Sequence, residues 1–223
     1  MAIEVVTKDC TALTDAELAE MGDIVAGGPA RFDIGVLSKA RESWVLITVA
    51  RIEGKLHGFV FSTLERIGGT PCVLLGLAAV RRTSKRNSVL NGLMNEAYHR
   101  ALMAFPDEDV LVGTRLATPS GFESLKACDE LIPRPGHKAV GEERAWGRRL
   151  VKRFSAEGTY DEQRFQLTGT GEVAGVFDHE SLKADAIAPG VVALFDGLQP
   201  ERGDCLIAFG WVMAENLLKL GSK

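Results

Sequence analysis

The residues of this chain with the clearest capacity for chemistry lie in one polar run, Arg81-Arg82-Thr83-Ser84-Lys85-Arg86-Asn87-Ser88. Behind it, Val89/Leu90, Leu93/Met94, Ala97/Tyr98, Ala101/Leu102 and Phe105 recur every four residues, the pattern of a helix with one buried face. A helix start offers free N–H groups and the positive end of the helix dipole, so four flanking cations make the run a candidate anion site. A solvated basic turn has the same composition, and both readings stand.

Acid–base candidates are fewer. Glu65 falls near the end of a predicted strand, either as a site-facing carboxylate or as an exposed edge carboxylate. His57 shares a face of that strand with Phe59, Phe61, Thr63 and Glu65 if pairing is regular. The four histidines, His57, His99, His137 and His179, lack paired metal spacing, so no metal is expected. Asp178-His179-Glu180 reads as a polar loop or cap. Cys10, Cys72, Cys128 and Cys205 are scattered without a CxxC pair, as idle thiols of a reducing cytoplasm would be. No GxSxG elbow or phosphate-binding GxxxxGK[ST] occurs, and Gly169-Thr170-Gly171 reads as a hairpin turn.

The elements that must position these groups can be read in order. Ile3–Thr7 predicts a strand. Thr14 and Glu17 form a capping box, with Leu13 and Leu18 as a staple, for a helix that stops at Gly27-Gly28-Pro29. A shorter helix spans 34–42. Trp44–Ile52 and Leu56–Leu64 predict a hairpin about Glu53-Gly54-Lys55. Cys72–Val80, apolar throughout, predicts a strand covered on both faces. After the helix that ends at Pro106, 109–116 returns to strand, and Pro119-Ser120 opens a short helix to about Leu131. Glu142–Ala156 predicts a basic helix with Trp146, Leu150 and Phe154 facing the core. Its stripe of Arg144, Arg148 and Lys152 is hydrated, clamps a phosphate, or docks an acidic partner. Further strands are expected at 164–168 and 191–195, and a terminal helix at 205–220.

Hydrophobic residues at 46% and charged residues at 25% describe a globular chain and exclude a disordered one. The formal net charge of −4 argues against general nucleic-acid or anionic-membrane affinity. The longest apolar runs fall well short of the roughly 20 residues a membrane span needs. The amino terminus shows no signal-peptide pattern, so the cytoplasm is the expected compartment.

From Arg51 to Leu93 the sequence resembles the GNAT family of acyl-CoA-dependent N-acyltransferases. Gly54-Lys55-Leu56-His57-Gly58-Phe59 is similar to the family's hairpin into its third strand, and Leu77-Ala78-Ala79-Val80 to the end of its fourth. The resemblance covers about residues 1–135. It implies an α/β (α+β) fold with a mixed, mainly antiparallel sheet flanked by helices. It further implies a GNAT-like domain over 1–172 with a helical insertion near 142–157. Residues 173–223 form a C-terminal extension packed on the same domain or on a second subunit of a homodimer. The implied cofactor is acetyl-CoA or another acyl-CoA, its pyrophosphate at Arg82, Lys85, Arg86, Asn87 and Ser88 and its pantetheine on the backbone of Leu77, Ala78, Ala79 and Val80. The implied acceptor is an amine of a small molecule or a protein.

The sequence departs from the family where its phosphate loop carries glycines: Ser88 and Leu90 stand there, and Leu90 reads as core. The tyrosine that the family places on its short fourth helix as proton donor is absent between Ser120 and Leu131. Cys128 is its nearest positional equivalent, either a thiol donor or a small core residue. Glu65 is the candidate base. Two functions follow: an N-acyltransferase, or a catalytically silent GNAT-like scaffold that binds a ligand or partner.

Overall fold

The Glu17 amide donates to Thr14 Oγ1 (3.3 Å) and the Thr14 amide donates back to Glu17 Oε2 (3.0 Å), so the expected capping box opens the first helix. A computed structural model describes residues 2–28, 30–173 and 175–221. Pro29, expected to help stop that helix, lies outside the described residues. The helices among them are α1 (Asp15–Val25), α2 (Ile34–Ser43), α3 (Arg86–Ala104), α4 (Gly141–Arg153), α5 (Pro189–Ala193) and α6 (Ala214–Gly221). The strands are β1 (Glu4–Asp9), β2 (Leu46–Ile52), β3 (Lys55–Ile67), β4 (Thr70–Val80), β5 (Val110–Leu116), β6 (Asp129–Ile132), β7 (Thr159–Asp161), β8 (Gln166–Thr168), β9 (Phe177–Asp178) and β10 (Cys205–Val212).

They form one mixed sheet in the order β1-β2-β3-β4-β9-β5-β10-β8-β7, with β6 also on β10. Pairing is antiparallel except among β4, β5 and β9, which run parallel. Tight turns join the first strands: Glu53 and Gly54 (φ 51° and 77°) between β2 and β3, then Gly68 and Gly69 (60° and 92°) between β3 and β4. These left-handed pairs match the twist of the strands they connect. β4 is buried at every residue after Thr70, as its uninterrupted apolar run requires. The buried face of α3, from Val89 to Ala101, covers the sheet.

Several expectations need correction. The helix expected from Pro119 to Leu131 is a 3-10 segment, Pro119–Leu125, followed by β6, because pairing with β10 outweighs local preference. Val191–Phe195 lies in and after α5, where Pro189 presets the helical turn, and it meets β8 through a side chain, Gln166 Nε2 donating to the Leu194 carbonyl (2.9 Å). The terminal helix begins only at Ala214. Cys205–Val212 is instead β10, paired to β5 on one side and to β6 and β8 on the other. A short apolar run of this kind does not reveal its type by periodicity, and here sheet pairing decides. Gly169–Gly171 does not join two strands; the β7–β8 turn comes earlier, and the Gly169 amide donates to Asp204 Oδ1 (2.8 Å). The C-terminal extension thus supplies β9 and β10 to the same sheet. Among the described residues no helix is long and apolar enough to cross a membrane.

Candidate functional site

β4 and β5 pair in parallel from Cys72–Leu111 to Leu75–Thr114 and then part. The cause is visible in β4. Between the Val60–Ala78 and Ser62–Leu75 pairs, β4 has one residue more than β3, and the indole of Trp44 lies where a Cβ on Gly76 would be. Such a bulge bends the strand and adds local twist. Beyond it, Leu77–Val80 diverge from β5, and the basic run at the start of α3 stands over the opening. A mixed, mainly antiparallel sheet flanked by helices is the frame implied by the sequence resemblance. The architecture is GNAT-like.

The gap is filled by the chain's own β9. Ala78 pairs with Phe177 and Ala79 with Asp178 on one side, and Leu116 with Phe177 on the other. The Ala78 amide donates to the Val176 carbonyl (3.2 Å) and the Ala117 amide to the Phe177 carbonyl (3.2 Å). Three side chains hold the same segment: Arg115 Nη2 donates to Gly175 O (2.6 Å), Thr118 Oγ1 to His179 O (2.7 Å), and Arg86 Nη1 to Glu180 O (3.0 Å). Val176, Phe177, Asp178, His179 and Ser181 are all buried. Gly175 packs so tightly that an added Cβ would come within 2.5 Å of the Leu77 side chain, and one on Gly28 would overlap Asp178 Oδ2.

The polar ends of the segment meet the basic run. Arg82 Nη2 lies 3.5 Å from Asp178 Oδ1 and Arg82 Nε donates to Glu180 Oε2; Arg86 Nη1 is 3.8 Å from the same Glu180 oxygen. Carboxylates therefore stand against the cations assigned to pyrophosphate. Burial pushes the Asp178 carboxyl up to about 6, against the pull of Arg82 and of the Ala30 N–H, which bonds to it. Burial also lowers the His179 imidazole, whose Nε2 meets Glu123 Oε2 at 3.1 Å. Asp178 Oδ2, His179 Nδ1, Arg86 Nε and Asn87 Oδ1 are buried without partners.

Of the residues singled out in sequence, Leu77–Val80 and Arg82, Arg86 and Asn87 do come together at this gap. Lys85 and Ser88 are exposed beside it, Lys85 as the N-cap position of α3, and Leu90 is core as read. Glu65 and Cys128 do not join them. Glu65 pairs across the sheet with Cys72, six residues or roughly 20 Å along β4 from Ala78. Its carboxylate is occupied by Arg153, through Nε (2.5 Å) and Nη2 (2.9 Å). Against β2, β3 carries one extra residue, His57 itself, between the Ala50–Gly58 and Arg51–Leu56 pairs, and this breaks the regular alternation that would align His57 with Glu65. Cys128 follows the 3-10 segment rather than riding a helix, packs against Gly210 and Tyr98, and is pushed up to about 12 by burial. Arg144 and Arg148 pair with Glu162, while Trp146, Leu150 and Phe154 are buried as expected.

The residues missed in sequence are Gly175–Phe177, Asp178 and Glu180. Their signal was Val176-Phe177 followed by two carboxylates at strand spacing, which complements Arg82 and Arg86.

No family model matches this sequence, and no curated protein does. Among solved structures, the chain is similar to an aminoglycoside 6'-acetyltransferase type Ii, with TM-score 0.44, 12% identity, and coverage of 59% of this chain and 87% of that one. It is also similar to a GNAT family acetyltransferase from Brucella melitensis in complex with acetyl-CoA (TM-score 0.36, 15% identity, coverage 49% and 75%). A third is the ribosomal-protein-S18-alanine N-acetyltransferase from Escherichia coli (0.38, 12%, 62% and 86%).

Proposed function

We propose that this protein is a GNAT-like scaffold that does not bind acyl-CoA, because its own strand has replaced the ligand. One observation carries the reading: β9 lies between β4 and β5 and uses the Ala78 amide. A pantetheine arm would need that backbone, and a pyrophosphate would need Arg82 and Arg86, which Asp178 and Glu180 hold. The segment is core rather than cover, since Phe177 and His179 are completely buried. Neither residue read as base or acid serves the gap, with Glu65 paired elsewhere and the Cys128 thiol raised far above the working range.

The second reading is an N-acyltransferase that uses acetyl-CoA or another acyl-CoA and acylates an amine of a small molecule or a protein. What favours it is that Arg82 and Arg86 stand at the start of α3, with the buried Arg86 Nε–H left without a partner. It requires residues 175–181 to leave the sheet. A cytoplasmic location and a homodimer belong to this reading as proposals.

Thermal unfolding during titration with acetyl-CoA separates the two. A ligand at 100 times its dissociation constant stabilises the native state by about 2.7 kcal/mol. The scaffold reading expects no shift at millimolar acetyl-CoA. A saturable shift, with acetyl transfer to any amine offered, would replace it with the second.

A further inference from the structure

A second concavity lies at the other end of the sheet. Trp211 of β10 pairs with Leu111, five residues along β5 from Leu116 at the filled gap, or roughly 17 Å away in an extended strand. There β6, β10 and α4 enclose a cavity of about 360 Å³. We propose that this cavity binds a small organic cation, an ammonium group carrying an apolar body.

Part of its wall is apolar and aromatic. Ile132 and Phe209 come from the sheet, and the rings of Trp211 and Trp146 meet edge to face, 6.2 Å apart at 88°. Aromatic faces attract cations through their quadrupole, most strongly where water is excluded. The protein already uses one such contact here, with the Arg149 guanidinium 4.8 Å over the Trp146 ring.

The rim supplies charge. Of three lining carboxylates, Glu143 is taken: both its oxygens lie 2.8 Å from His137 Nε2, and the Val140 amide donates to it at 2.8 Å. Among the described residues, the side chains of Glu130 and Glu142 have no hydrogen-bond or ion-pair partner, and both residues are exposed. Arg134 is the one guanidinium on the wall, and it reaches His137 Nδ1 at 3.3 Å. Arg149, over the Trp146 ring, is not itself a wall residue, so on the wall two unpaired carboxylates stand against one guanidinium, a local excess of negative charge that favours a cation over an anion or a neutral apolar molecule.

The backbone aims one of these carboxylates. Glu130 has φ 48°, a left-handed conformation unusual for a side chain that long. It falls where the register of β6 on β10 shifts between Phe209 and Trp211. Such an irregularity redirects a side chain that regular alternation would place elsewhere. The cavity, the aromatic pair and the redirected carboxylate are independent observations that converge on one ligand chemistry, and none depends on whether the gap at β4 admits acyl-CoA.

The test is calorimetric titration with three molecules of one shape: 2-phenylethylammonium, 2-phenylethanol and 3-phenylpropanoate. The ammonium should bind at least about tenfold more tightly than the alcohol, a difference of about 1.4 kcal/mol, and the carboxylate should not bind. Glu130→Gln with Glu142→Gln, both exposed positions that leave the fold intact, should bring the ammonium down to the level of the alcohol. Trp211→Leu should weaken ammonium and alcohol together. Equal binding of ammonium and alcohol by the unaltered protein would overturn the proposal, as would absence of any ammonium binding at millimolar concentration. Undiminished ammonium binding by the double variant would do the same.

Discussion

The Ala78 amide donates to the Val176 carbonyl over 3.2 Å, and this bond joins a strand end to a segment almost a hundred residues later in the chain. It converts a parted pair of strands into a continuous sheet. Every other contact of the segment follows from that placement: Phe177 enters the core, and Asp178 and Glu180 turn toward Arg82 and Arg86.

The fit can be measured through two glycines. Gly175→Ala and Gly28→Ala insert a methyl group against Leu77 and Asp178 respectively, in places without room for it. Overpacking of this kind costs about 1–3 kcal/mol. Urea denaturation should show a lower midpoint at unchanged slope for each. Wild-type midpoints for both would mean that residues 175–181 do not occupy the gap.

Asp178 reverses the ordinary pH dependence of a carboxylate. Its folded-state value of about 6 lies above the unfolded value near 3.9, so the folded state binds the proton more tightly. The penalty is fully present above pH 6 and fades as pH falls toward 4, an effect on the order of 3 kcal/mol. Asp178→Asn removes the titration. The variant should gain most over the parent at pH 7, and the difference should shrink between pH 6 and 4. A difference constant across that range would show that Asp178 is not buried as a carboxyl.

Glu65 provides a contrast. Its bidentate pair with Arg153 is partly exposed on both sides, and such pairs contribute at most about 1 kcal/mol. Glu65→Gln should shift the unfolding midpoint only slightly. A loss larger than about 2 kcal/mol would reveal a buried role.

The cysteines should be inert in the native state. Burial pushes Cys10 and Cys128 up to about 12, and Cys72 and Cys205 up to about 11. At pH 8 a thiol of that kind is ionised to ~10⁻³ or less, and the thiolate is the reactive form. Mass spectrometry after iodoacetamide treatment should find all four unmodified without denaturant and all four modified in guanidinium. Rapid native labelling at Cys128 would restore its candidacy as a proton donor.

Much of the frame was legible because its signals are local. Thr14 with Glu17, the turn residues Glu53-Gly54, the apolar run of β4 and the four-residue period of α3 each specify an element within a short window. The α4 core face, Trp146, Leu150 and Phe154, was legible for the same reason. What escaped depends on pairing. β6 and β10 exist because each supplies the other's hydrogen bonds, and neither window reveals it alone. The filled gap was hidden most thoroughly. Leu77–Val80 and the basic run were found, but their partner lay in Val176–Glu180, where carboxylates two apart look like an ordinary polar loop until Arg82 and Arg86 stand opposite. Glu65 was judged from its own strand alone, whereas the partner that occupies its carboxylate, Arg153, comes from α4, 88 residues further along the chain.

The position of β10 bears on biosynthesis. Among the described residues it is the last strand along the chain, yet it lies inside the sheet, with β5 on one flank and β6 and β8 on the other. Until it emerges from the ribosome, a nascent chain carries an open β5 edge, and such edges recruit other chains. A premature stop before Cys205 should therefore yield aggregates instead of a shorter folded product.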